Sequence, residues 1–259
     1  MTVEALPFVN WLFWTALTAG TALVVGVTER LGGTTRGYRL FMAFVLVVLA
    51  ALLVLSDLAL PGDAVAAGTE GLRRPLSIGI GVLAVAYLVA SLRQWPRWAI
   101  AVALGIGGLA ALVTMAAAGG SQSPALFAVQ LVVAAVALGS VFAAMLLGHW
   151  YLVTPKLSPL PLRRMMWVLL VALVAQGVAF GVALAVVGGE ALAGDIGWLT
   201  WLRLAVGILL PIGAGILAIL ASRAPSLQAS TGLLYIGLAL VMAGSIAGSS
   251  LTYLTGVPV

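Results

Sequence analysis

Eight times along this chain, about twenty residues pass with almost no charged side chain, and that recurrence decides what it can fold into. A helix of about twenty apolar residues, rising 1.5 Å per residue, crosses the ~30 Å hydrocarbon core of a bilayer. The predicted spans are 7–27, 38–58, 75–92, 98–118, 124–148, 164–187, 197–221 and 229–254. Between them lie the breakers LGGTTRG, LPGDAVAAGTEG, RQWPR, GGSQSP, TPKLSPLPLRR, GGEALAGD and SRAPS, where Gly, Pro and charge interrupt the apolar pattern. Only 7% of the residues are charged, against about 25% in an average soluble domain. The expected fold is therefore an all-α polytopic membrane protein, with no loop long enough to hold a soluble domain.

The positive charge sets an expected orientation. Nine basic residues (Arg30, Arg36, Arg39, Arg93, Arg97, Lys156, Arg163, Arg164 and Arg223) flank the loops after spans one, three, five and seven. The other side holds Arg73, Arg74 and the intramembrane Arg203, with six of the seven acids: Glu4, Asp57, Asp63, Glu70, Glu190 and Asp195. Lys and Arg accumulate on cytoplasmic loops, so both termini are expected outside. Spread at one to three per loop, these residues make no nucleic-acid footprint. The amino-terminal MTVEALPFVNW has no basic leader and does not read as a cleaved signal peptide. Eleven arginines to one lysine point to a GC-rich bacterial source and a cytoplasmic membrane.

The two halves also match each other. Span one (ALTAGTALVVGVTER) aligns with span five (AVALGSVFAAMLLGH), placing Gly20 against Gly139. Arg39 opening span two falls on Arg164 opening span six, and Arg74, Arg93 and Pro96 around span three fall near Arg203, Arg223 and Pro225 around span seven. Span four resembles span eight. The expectation is two tandem four-helix units, 1–121 and 122–259, within a single membrane domain. An even number of spans per unit gives both the same orientation, related by a pseudo-twofold along the membrane normal.

Few residues could carry chemistry. Arg203 lies two turns into span seven, where a charge must snorkel, pair or serve a ligand. The expected structural alternatives are snorkelling beside Trp198 and Trp201, or pairing with Asp195, Glu190 or Asp57; the functional one is a site for an anionic or carbonyl-bearing ligand. Arg74 would hold the equivalent mouth in the first half. His149, the only histidine, could with Tyr151 hydrogen-bond a quinone carbonyl or exchange a proton, or serve as an interfacial anchor with Trp150 and Trp167. Under the repeat, Glu29 would face it. One histidine excludes a bis-His haem within this chain, and the absence of cysteine excludes thiolate metal sites. Span seven also carries GILLPIGAG, where Pro211 predicts a kink, and span eight carries Ala243–Ser249 as three overlapping pairs of small residues. Such a face buries itself in the bundle or, through Gly244 and Gly248, makes a homodimer.

Two four-helix units, short loops and a polar cluster at each interface resemble the quinol-oxidising membrane subunits of the polysulfide-reductase type. The likeness covers span count and pairing. It implies a quinone site, no covalently bound cofactor and partner subunits, and hence an integral subunit of a respiratory or redox-linked complex that is not catalytic on its own. The alternative is a small permease, flippase or channel for a neutral or lipidic substrate, followed by a lipid-modifying enzyme using His149, Glu29 or Tyr151. No metal site is expected.

Overall fold

The computed structural model describes residues 6–60, 69–118, 123–154, 157–187, 193, 196–223 and 226–255. These residues form helices and short connections, and eight helical spans are long and apolar enough to cross a membrane. They are α1 (Leu6–Leu31), α2 (Arg36–Leu58), α3 (Glu70–Arg93), α4 (Trp98–Ala118), α5 (Pro124–Val153), α6 (Leu160–Val187), the seventh span, and α9 (Leu227–Thr255). The seventh span is α7 (Gly197–Leu204), a π turn over Ala205–Leu209, and α8 (Leu210–Arg223). Each predicted span is found. The largest differences are α1 and α5, which run on to Leu31 and Val153, and α3 and α6, which start at Glu70 and Leu160.

The breakers act as their chemistry dictates. Gly32 and Gly33 take left-handed backbone angles after α1, and Thr35 caps α2 by accepting the N–H of Tyr38 at 3.3 Å. Gln94, at φ 60°, closes α3 just before Pro96. In the seventh span, Pro211 has no N–H, and its ring crowds the carbonyl four residues back, at Gly207. The expected kink takes the form of the π turn, in which the N–H of Leu210 reaches back to the carbonyl of Ala205.

Burial separates centre from rim. α1 and α5 are buried along most of their length, whereas the other six spans keep one apolar face outward, such as Phe44, Leu55, Val82, Val171 and Val178. In the first half, α1, α2, α3 and α4 pack in that order and α4 closes back onto α1. In the second, α5, α6, the seventh span and α9 close in the same way. The halves meet where α1 crosses α5, with flanking contacts of α4 on α5 and of α9 on α1.

That crossing is a backbone-to-backbone contact. A Cβ on Gly20 would overlap the carbonyl oxygen of Ala135, and a Cβ on Gly139 would overlap the backbone of Gly20 and Thr21. Between helices in lipid, where no hydrophobic drive operates, such close approach supplies van der Waals contact in its place. The small face of α9 behaves likewise inside the chain. Gly244 lies on Gly207 of the π turn so closely that a Cβ on either would clash, and Gly248 lies on Arg203. The face expected to be buried or to dimerise is thus occupied by the chain's own seventh span, which leaves no room for a second copy at Gly244 and Gly248.

Candidate functional site

The spans alternate in direction, so the polar side chains gather at two ends. Asp57, Arg73, Arg74 and Arg203 lie toward one end, and Glu29, Tyr87, Arg97, His149, Tyr151, Arg163 and Arg164 lie in separate contacts toward the other.

Arg203 projects from α7 into the joint between the halves and is only 4% exposed. Its slot is made by two glycines. A Cβ on Gly248 would stand 3.0 Å from its Nε, and one on Gly207 3.2 Å from its Nη1. The Nε is buried without a hydrogen-bond partner, and among the described residues no carboxylate lies within ion-pair distance. A cavity of about 20 Å³ adjoins the guanidinium, bounded by Leu12 and Ala16 of α1, Gln130 of α5, and Ser245, Ser249 and Thr252 of α9. That volume admits one oxygen-sized group. A five-donor fork thus faces a small cavity with hydroxyl groups on its wall.

Two expectations for Arg203 are corrected here. It does not snorkel to the aromatic belt, because Trp198 and Trp201 are exposed on the rim while the guanidinium turns inward against Gly207 and Gly248. Nor does Asp57 pair with it. Asp57 is buried and bonded to Arg73, with Arg74 Nε 3.7 Å away and the Ser77 hydroxyl donating at 3.1 Å. The other proposed partners, Asp195 and Glu190, lie outside the described residues.

Arg74 is half-exposed and pairs with Glu70 at 2.6 Å. Its neighbour Arg73 is the buried one, bound to Asp57 and set over the Trp11 ring at 5.8 Å. Sequence reasoning missed this pair. A signal was present, since Arg73 stands twenty residues before Arg93 just as Arg203 stands twenty before Arg223.

At the opposite end, Glu29 does not face His149. Its Oε1 accepts from the Tyr87 hydroxyl at 2.9 Å and from Arg97 Nε at 3.3 Å, so it is turned toward α3 and α4. His149 is exposed, and its Nδ1 lies 3.1 Å from the hydroxyl of Tyr235 on α9. Tyr151, proposed as its companion, is buried and donates to the carbonyl of Ser158 at 2.8 Å, which holds the α5–α6 connection in place. Trp150 anchors as expected, but against protein: it stacks on Phe41 and covers Gly37. No family model, no curated protein and no solved structure matches the chain.

Proposed function

We propose that this chain is an integral membrane subunit of a larger, redox-linked complex in a bacterial cytoplasmic membrane, and that Arg203 receives the oxygen of a ligand headgroup, foremost a quinone carbonyl. One observation carries the reading: a guanidinium buried in the joint between the two halves with no carboxylate beside it among the described residues, and an oxygen-sized cavity in front of it. A buried cation without a partner is costly unless something completes it.

The tandem-repeat reading sharpens this. We take 1–121 and 122–259 as two four-helix units related by a pseudo-twofold along the membrane normal. It is supported by the matching closure of the two rings and by the matched glycines Gly20 and Gly139 meeting each other, as equivalent positions must on an axis. The spacing of Arg73 and Arg203 agrees as well. On this reading the first unit supplies its buried arginine with Asp57, and the second leaves the corresponding place to a ligand. The excess of Lys and Arg on the His149 side supports taking that end as cytoplasmic and both termini as outside.

A static subunit fits better than a carrier that rocks its halves against each other, because the α1–α5 crossing is closed backbone on backbone. The permease reading retains one feature in its favour, the π turn beside Arg203, since such turns often mark moving or functional segments.

The test is titration of a short-tailed quinone against the purified chain, alone and with whatever soluble subunit accompanies it from the membrane. Arg203→Gln should weaken binding by about tenfold or more, the value of a hydrogen bond from a charged donor. Unchanged affinity in Arg203→Gln, or lipid scrambling or solute uptake by the chain alone in liposomes, would refute the reading.

A further inference from the structure

The end opposite Arg203 carries an apolar furrow with an arginine at its mouth. Two hollows of about 410 and 130 Å³ meet at Val136 of α5 and Val168 of α6, which line both. The larger runs between α5 and α6 past Trp167 and Val171 to Ala175; the smaller opens between α1 and α6 at Leu31 and Arg164. The walls are almost wholly hydrocarbon. From Arg164 to Ala175 the furrow follows eleven residues of helix, roughly 16 Å at 1.5 Å per residue, close to half of the ~30 Å hydrocarbon core. It is therefore one leaflet deep.

Its head is cationic. Arg164 is half-exposed, and among the described residues its one hydrogen bond is a long one of 3.4 Å to the carbonyl of Leu31, which leaves most of its donors without a protein partner there. Among the described residues no carboxylate pairs with it: Glu29 is turned to Arg97 and Tyr87. Arg163 beside it is bound to the Ser222 carbonyl, and Arg30 lies over the Trp98 ring, 5.5 Å from its centroid. The matching junction of α2 and α5 is not open in this way, because Trp150 fills it against Gly37, Tyr38 and Phe41. An open furrow on one side and a plugged one on the other make this a particular place on the rim.

We infer that the furrow is a binding site for one anionic phospholipid, its phosphate on Arg164 and one acyl chain lying along Val168, Val171 and Ala175. Basic pockets between spans at a cytoplasmic interface recognise anionic headgroups in this manner. The lipid would lie across the joint of the two halves, touching α1, α5 and α6. This inference does not rest on the Arg203 reading, which concerns the opposite end.

Native mass spectrometry of the delipidated full chain in detergent tests it, with phosphatidylglycerol and phosphatidylcholine of identical acyl chains as probes. The wild type should take up one phosphatidylglycerol about fivefold more tightly than phosphatidylcholine, the ratio expected of one arginine at a lipid surface. Arg164→Gln should abolish that preference while leaving the weaker binding common to both lipids. Val168→Phe, which narrows the junction of the two hollows from the lipid side, should weaken both lipids together. Glycerol phosphate, the headgroup without chains, should not compete at equal concentration. Equal uptake of the two lipids by the wild type, a preference that survives Arg164→Gln, or a quinone retained in place of phospholipid would each overturn the proposal.

Discussion

The contact of Gly20 with Gly139 holds the halves together, and replacing Gly20 by alanine measures how much depends on it. The added Cβ would lie 2.6 Å from the carbonyl carbon of Ala135 and would overlap its oxygen, where ordinary contact begins near 3.4 Å. What it meets is backbone, which no rotamer change can move. The only relief is for α1 and α5 to part, by more than about 1 Å, and a gap of that size forfeits about half or more of the dispersion energy of the atoms facing it. Overpacking of this kind costs about 1–3 kcal/mol and sometimes more, and the crossing lies between the two most buried spans. A loss near the top of that range, about 3 kcal/mol, is expected. Gly181→Ala is the control, because Gly181 has open space around its Cβ position and faces outward on α6. There alanine removes a helix-disfavouring glycine and should be neutral or stabilising by up to about 1 kcal/mol. Equilibrium unfolding of the purified chain in mild detergent or bicelles reads both. If Gly20→Ala unfolds no more easily than Gly181→Ala, the crossing is not the close contact described, and the argument that the halves cannot rock falls with it.

Two further outcomes follow from the paired charges. Asp57→Asn leaves Arg73 buried with its charge uncompensated and should cost about 3–5 kcal/mol; the double variant Asp57→Leu with Arg73→Met should recover much of that in the same unfolding assay, and no recovery would mean the pair is not the cause. A double-mutant cycle of Glu29→Gln and His149→Phe should show no coupling beyond about 0.5 kcal/mol, since Glu29 bonds Tyr87 and Arg97 and His149 bonds Tyr235; coupling well above that would place the two side chains in one cluster.

The elements were legible in the sequence, and what they face was not. Long uncharged runs and their breakers set all eight spans close to their observed limits, because hydropathy reports length directly. Facing is a different quantity. In a soluble helix the polar stripe marks the outside, but in lipid both the rim and the core are apolar, and α4, α5 and α6 carry no such stripe. Glu29 shows the consequence. The repeat alignment set it opposite His149, yet a rotation about α1 that the sequence does not encode turns it toward Arg97 and Tyr87.

Arg73 and Arg74 make the same point at its smallest scale. They are one residue apart and equally basic, at the same depth, yet one step along a helix turns a side chain by about 100°. That step decides which arginine is buried on Asp57 and which reaches Glu70 at the surface. Arg203 escapes the ambiguity only because it stands alone in its span, with Gly207 and Gly248 leaving it a single direction. The comparison with Arg73 is direct: two arginines at the same end, equally buried, of which one meets a carboxylate from the neighbouring span and the other, among the described residues, meets a cavity edged by Ser245, Ser249 and Thr252. Hydroxyls can orient an incoming oxygen, but they do not neutralise a guanidinium as a carboxylate does. A ligand completing Arg203, as proposed, would therefore bring lone pairs like those that Asp57 brings to Arg73, as a carbonyl oxygen does.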